Sequence, residues 1–352
     1  MSRVTYEAVA VASIGLGRGT SAPKVTVVST MKDEGAYILD WVAHYRTLGA
    51  TDIVVFTNDV SDPTDHILRR LNCMGEVHHR FNRVMRRGPH KSALMWAEHE
   101  PAVREADWIL VVDVDEFLDI KVGDGTFQDL IAEHPEADAI SFPWRIFGNA
   151  GVEKITGESV PRQFTKAQPA EGKPGEHRFF KTLFRNDKTK FNRMGVHRPF
   201  LAKNHAPIHW ILPDGTRVLE DDKGGALHLR DHYGYEGAQL NHYALRSLDA
   251  FLNKQRRGRA NHFKGTIEMG YWKKFDKNDE EDTSLAEKFF AAEAYRRRLL
   301  AQDEALARHH EAALDWAQRM ARKARREQQC KTFLKALAQL DAPASEAARD
   351  VA

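Results

Sequence analysis

Three acid-bearing clusters hold the chemical potential of this sequence. Lys32-Asp33-Glu34 follows one β-branched run, Asn58-Asp59-Val60-Ser61-Asp62 follows a second, and Asp113-Val114-Asp115-Glu116 follows the wholly apolar Trp108-Ile109-Leu110-Val111-Val112. Acids and amides of the first two suit a base edge and a ribose hydroxyl, the few fixed polar groups a binding cleft needs. Asp33, Asp59 and Asp62 have an equal claim as helix caps or turn residues. The third cluster differs in kind. Asp113 and Asp115, at i and i+2 in a turn leaving a buried strand, bring two hard oxygen ligands together where Mg²⁺ or Mn²⁺ can bridge to a diphosphate. Two acids in one turn are also common on solvated loops. At the mouth of a core, however, they repel each other unless a cation or donor intervenes.

The elements that must position these clusters alternate. Val25 to Thr30 reads as a strand, and Ile38, Trp41, Val42, Tyr45 and Leu48 then repeat at helical spacing until Gly49. Ile53 to Thr57 is a second strand, followed by a helix opened by Asp62 and Pro63 and closed by Gly75. Val77 to Phe81, a helix around Ala93 to Glu100, the buried strand Trp108 to Val112, a helix near Phe127 and a strand at Ala139 to Phe142 continue the series. The expectation is an α/β fold, a mostly parallel nucleotide-binding sheet with helices on both faces. In such sheets ligands sit beyond the carboxyl ends of the strands, where all three clusters fall.

Beyond Pro143 the pattern is irregular, an expected α+β half. We divide the chain into a leader at 1–21, a domain at 22–282 with halves 22–142 and 143–282, basic helices at 283–335 and a disordered tail at 336–352. Gly15, Gly17 and Gly19 are followed by Ala22-Pro23 and a strand, which argues against a dinucleotide-binding turn. Leu285, Ala292, Leu299, Leu306, Ala313 and Met320 recur every seventh residue, but Lys288, Gln302 and Asp303 make the seam too polar for a coiled coil.

The 352 residues are 42% apolar and 29% charged, with 52 basic against 50 acidic side chains, too balanced to imply a nucleic-acid partner. Cys73 and Cys330 share no metal-ligand spacing, which excludes a Cys-rich zinc site and points to a reducing compartment. No run reaches the about 18 apolar residues of a membrane span.

Met31-Lys32-Asp33-Glu34-Gly35, Trp41-Val42-Ala43-His44-Tyr45, Asn58-Asp59 and Asp113-Val114-Asp115-Glu116-Phe117-Leu118 together resemble family 2 glycosyltransferases. Trp144-Arg145-Ile146-Phe147-Gly148, His197-Arg198-Pro199 and Asn241-His242-Tyr243-Ala244-Leu245-Arg246-Ser247 resemble later signatures of a bacterial branch. The resemblance spans about residues 22–285. It implies a GT-A fold, a nucleotide-diphospho-sugar donor touching Lys32, Asp33, Glu34, Asn58, Asp59 and Asp113, a divalent ion at Asp113 and Asp115, and transfer with inversion. It also makes His242 the histidine that completes the metal shell, with His228 and His232 as competitors.

No clear base motif lies between the two acids and Asn241-His242-Tyr243. Asp276 and Asp282 are the candidates for deprotonating the acceptor, followed by Glu116 and the Glu220-Asp221-Asp222 group. Glu281-Asp282 equally suits the start of a helix at Thr283-Ser284. Trp144, Phe147 and Trp210 are candidates for a sugar platform or for the core.

The expected protein is a cytoplasmic, metal-dependent transferase acting on a carbohydrate or lipid-linked acceptor, with no nucleic-acid partner. Arg319 to Arg326 with Trp316 and Met320 could rest on an anionic inner membrane face or form a solvated helix face. The rivals are a nucleotidyltransferase or phosphohydrolase using the same acids, and a catalytically dead binding module working through the basic tail.

Overall fold

The computed structural model describes residues 22–171, 177–218, 228–230, 235–257 and 269–341. The first half runs β1 (Val25–Met31), α1 (Ile38–Thr47), β2 (Asp52–Thr57), α2 (Thr64–Cys73), β3 (His78–Phe81), α3 (Pro89–Ala97), α4 (Pro101–Arg104), β4 (Trp108–Val111), β5 (Glu116–Ile120), α5 (Phe127–Glu133) and β6 (Ala139–Ile146). The middle adds α6 (Val160–Gln163), β7 (Lys166–Ala167), β8 (His177–Arg185), β9 (Phe191–Arg193), β10 (Phe200–Leu201), β11 (Trp210–Ile211), β12 (His228–Arg230) and β13 (Ala238–His242). The last part is α7 (Leu248–Arg257), α8 (Met269–Phe275), β14 (Glu280–Glu281), α9 (Ser284–Lys288), α10 (Phe290–Gln302), α11 (Glu304–Ala324) and α12 (Gln328–Asp341).

The main sheet has the order β3-β2-β1-β4-β8-β6-β13-β5. Its first four strands are parallel, as expected. Beyond β4 the sheet is mixed, because β8 enters antiparallel between β4 and β6 and β5 pairs antiparallel with β13. The expectation of a mostly parallel sheet therefore holds only for the first half. Alternation along β1 explains the two-sided cover: Val25 and Val27 join the core with Ile38, Trp41 and Ile67, while Val28 joins the one with Ala93, Leu94 and Val103. Helices thus bury both faces, the α/β class that the sequence predicts.

Gly49 ends the α1 region at φ +87°, a conformation open to glycine at little cost. Thr126 and Asp129 close a capping box on α5. The C-terminal helices pack back on the first half, α10 on α1 and α11 on α2 and α7. Asp303 caps α11 through the Leu306 amide (2.9 Å) and pairs with Arg70 of α2. Helix α12 continues to Asp341, so 336–341 are helical rather than part of a disordered tail. The leader at 1–21, Glu220-Asp221-Asp222 and His232 lie outside the described residues. Both cysteines are free thiols. No helix of the described residues is long and apolar enough to cross a membrane.

Candidate active site

The carboxyl ends of β1 and β4 open onto a cleft of about 470 Å³. It is lined by the charged groups of Lys32, Glu34, Asp113, Asp115, Lys254 and Arg257 and by the rings of Trp144, Phe179, His197 and Tyr271, with Tyr271 5.4 Å from the Lys254 ammonium. A second cavity of about 230 Å³ shares Lys32, Glu34, Asp115, Lys254 and Arg257 with the first and is walled by Trp316 and Met320 of α11.

The turn between β4 and β5 supplies Asp113 and Asp115. Leaving the sheet after Val112, the chain crosses to the far edge, where Glu116 stands opposite His242 in the β5·β13 ladder. The Tyr243 amide donates to the Asp115 carbonyl at 2.8 Å. That register brings His242 Nε2 to 3.7 Å from Asp115 Oδ1. Burial pulls His242 down to about 4, so its ring is neutral near pH 7.

Each of the two acids already faces a cation. Lys254 Nζ lies 3.1 Å from Asp115 Oδ2, and Lys181 Nζ lies 3.0 Å from Asp113 Oδ2. His90 approaches Asp113 at 3.8 Å. Burial is the largest influence and works to raise both carboxyls, but Lys181 with His90 at Asp113, and Lys254 with His242 and Arg246 at Asp115, together hold them below the usual carboxylate range. Glu116 is different. Its side chain is fully buried, 3.4 Å from Lys181, and burial with repulsion from Asp113 and Asp115 pushes its carboxyl well above the ordinary value. Glu116 accepts from the Asp113 amide at 2.8 Å and so braces the turn.

The first two clusters mix bracing with binding. Asp33, at φ +51°, accepts from the Ser61 hydroxyl at 3.0 Å and also from the Ser61 amide, tying the β1–α1 loop to the β2–α2 loop. Asp62 accepts from the Gly35 and Thr64 amides, both at 2.9 Å. A Cβ on Gly35 would stand 2.9 Å from Asp62 Oδ2 and from Ala313 Cβ, so glycine permits this close approach to α11. Burial would raise Glu34, but Arg257 and Arg246, each at 2.9 Å, hold it low. Lys32 lines both cavities and Asp59 the smaller one. Asn58 lines neither; its side chain joins Asp59 and Asn82.

Asp276 and Asp282 do not reach the cleft. Asp282 Oδ2 is 2.6 Å from Arg145 and 2.7 Å from Gln239, and its other oxygen accepts from the Ser284 amide, the helix-start role. Asp276 accepts from the Asn149 amide at 2.9 Å and from Asn278. Their carboxylates are committed to holding the second half together. Of the three aromatics, Trp144 lines the cleft, while Phe147 is core and Trp210 is buried with its indole N–H on Ser141.

Sequence reasoning missed Lys181, Lys254 and Arg257, and it gave Arg246 no role beyond its place in the signature around His242. A signal existed for Lys181: a lone lysine inside Phe179-Phe180-Lys181-Thr182-Leu183-Phe184 must find an acid to be buried. The expected membrane face of the tail is partly spent internally, since Arg325 pairs with Asp249 at 2.7 Å and Arg319 with Asp315.

A family model described as glycosyltransferase family 92 matches residues 25–262. A glycosyltransferase family 92 protein of Ricinus communis is 21% identical over 226 residues, 62% of this chain and 37% of that protein. The chain thus spans little more than a third of the length of that curated relative. Among solved structures, S. aureus TarS in complex with UDP is 17% identical over 36% of each chain, with a TM-score of 0.27. Glucosyl-3-phosphoglycerate synthase from Mycobacterium tuberculosis in complex with phosphoglyceric acid is 13% identical over 35% of this chain and 44% of that one, with a TM-score of 0.25. The family that matches is 92; the resemblance to family 2 holds only at the coarser level of glycosyltransferases.

Proposed function

Because the chain belongs to glycosyltransferase family 92, we infer that its cleft transfers a sugar from a nucleotide-diphosphate donor to a carbohydrate or lipid-linked acceptor. One observation carries this reading: paired acids at the end of a buried strand share a cleft with clustered cations and with aromatic rings. The cations suit a diphosphate and the rings a sugar face.

The donor set suits a divalent ion. Asp115 Oδ1 and His242 Nε2 are close enough to share one metal, and His242 is neutral as a ligand must be. No three His, Cys, Asp or Glu side chains cluster for a metal among the described residues. That pattern matches Mg²⁺-type sites, which use one or two carboxylates together with substrate phosphates rather than an all-protein cage. Asp115 and His242 would hold Mn²⁺ or Mg²⁺ together with the donor's phosphates, with Asp113 in the same turn, and the ion would supply positive charge for the leaving diphosphate.

The chain's own groups do the remaining work. Lys32, Lys254 and Arg257 line the cleft, where they stabilise charge developing on the leaving nucleoside diphosphate. Trp144 and Phe179 exclude water and offer stacking surface. His197 Nδ1–H donates to the Phe180 carbonyl at 2.9 Å, and burial with Lys181 pulls the ring down to about 4, so near pH 7 it is neutral with its Nε2 lone pair open to a proton. The acceptor oxygen bonds to the anomeric carbon as the carbon–phosphate-oxygen bond breaks, and its proton passes to His197 Nε2.

The test is a panel of nucleotide sugars scored for thermal stabilisation with and without Mn²⁺. The matching donor at about 100 times its Kd should stabilise by roughly 2.7 kcal/mol, and Asp115→Asn should abolish the Mn²⁺-dependent part. Absence of Mn²⁺-dependent stabilisation by every nucleotide sugar would overturn the metal-dependent reading.

A further inference from the structure

Between Glu76 and Glu98 the sequence has no acid, yet it carries Arg80, Arg83, Arg86, Arg87 and Lys91. Arg80 pairs with Glu100 at 2.8 Å. Arg83, Arg86, Arg87 and Lys91 are exposed and make no ion pair among the described residues. Two large apolar side chains stand beside them in the open, Phe81 at 62% and Met85 at 41% exposure. Arg69 of α2 adds its guanidinium over the Phe81 ring at 5.5 Å.

The β3–α3 loop holds this group in a defined shape. The Trp96 indole N–H donates to the Arg83 carbonyl (2.9 Å), the Met85 amide to Ser92 Oγ (2.8 Å) and the Gly88 amide to the Met85 carbonyl (2.9 Å). The loop leaves the carboxyl end of β3 and leads into His90, whose ring reaches Asp113. It therefore lies beside the cleft.

We propose that the β3–α3 loop is a docking surface for an anionic lipid bilayer. Each exposed basic side chain near such a surface gains from its negative potential. Phe81 and Met85 supply what a purely electrostatic contact lacks, apolar groups that enter the headgroup and acyl boundary. A soluble polyanion would satisfy the arginines and leave both apolar side chains in water. Docking by this loop sets the neighbouring cleft against the membrane, where a lipid-linked acceptor resides. Vesicle binding is read without substrate, so its outcome is independent of the sugar-transfer reading.

The experiment is flotation of the full chain with phosphatidylcholine vesicles, pure or containing about a third phosphatidylglycerol. Binding should require the anionic lipid and weaken with salt. The triple variant Arg83→Gln/Arg86→Gln/Arg87→Gln should lose roughly 100-fold in partitioning, and Met85→Ser a smaller factor. The control Arg322→Gln/Lys323→Gln, on exposed positions of α11, should bind as wild type. Nucleoside diphosphate affinity should be equal in all forms, which shows the loop variants are folded. Failure of wild type to float with anionic vesicles, wild-type binding by the loop triple variant, or loss confined to the α11 variant would each overturn the proposal. So would capture by a soluble acidic polysaccharide with no vesicle binding.

Discussion

Lys254 meets Asp115 Oδ2 at 3.1 Å, lining both cavities, while His242 approaches the other oxygen at 3.7 Å. The pair has two consequences of opposite sign. Lys254 competes with a metal ion for Asp115, and it adds positive charge for a diphosphate. Lys254→Met should therefore tighten Mn²⁺ binding in the absence of nucleotide while weakening nucleoside diphosphate binding by about 10- to 100-fold. Calorimetric titrations of each ligand alone check this. Weaker binding of both would mean that Lys254 chiefly holds Asp115 in place.

Lys181 is fully buried between Asp113 and Glu116. Lys181→Met leaves the Asp113 and Glu116 carboxyls without their shared cation, and breaking a buried pair in this way costs about 3–5 kcal/mol. Denaturant unfolding should show that loss. Adding Asp113→Asn should recover part of it, because the uncompensated charge is then gone. An unchanged midpoint in the single variant would refute the buried-pair account.

His197→Ala should lower turnover by about 10²- to 10⁴-fold with donor affinity nearly unchanged, since a proton acceptor acts chiefly in the transition state. Steady-state rates and direct donor binding separate the two effects. Asp276→Asn and Asp282→Asn should keep their turnover per folded molecule, and a collapse of turnover in either would return the base to that segment.

The acid limb of stability should carry a signature of His44. Its Nε2–H donates to the Leu118 carbonyl at 2.9 Å, and burial pulls the ring down to about 3 from an ordinary 6.5. Below pH 6.5 the unfolded chain takes up a proton that the folded one refuses. Stability is therefore fully present above about 6.5 and declines as pH falls toward 3. His44→Gln should flatten the melting-temperature profile in that window, whatever constant offset its lost ring contacts cause. Parallel profiles would show that His44 does not contribute.

The first half was legible because its period is local. Val25 to Thr30 alternates, Ile38 to Leu48 repeats at helical spacing, and both elements stand where those patterns put them. Asp113 and Asp115 were legible for a related reason, as acids directly after an apolar strand. The insertion of β8 between β4 and β6 was not, since strand order depends on pairings between residues such as Ile140 and Leu183, far apart in the chain. Nor was β5: Glu116 to Ile120 follows the acids so closely that it reads as more turn. Asp276 and Asp282 misled because an acid's partner decides its role: Asp282's partner Arg145 lies 137 positions away and Asp276's partner Asn149 lies 127.

Helix α11 touches the site loop at Gly35 and walls the smaller cavity with Trp316 and Met320, although the family match ends at residue 262. The transferable unit for protein engineering is therefore larger than the matched segment. A fragment trimmed to that boundary would keep both turn acids and His242 but expose the underside of the β1–α1 loop. Chimaeras with other members should exchange α11 along with its loop, because Ala313 and Gly35 form one steric contract that neither can renegotiate alone.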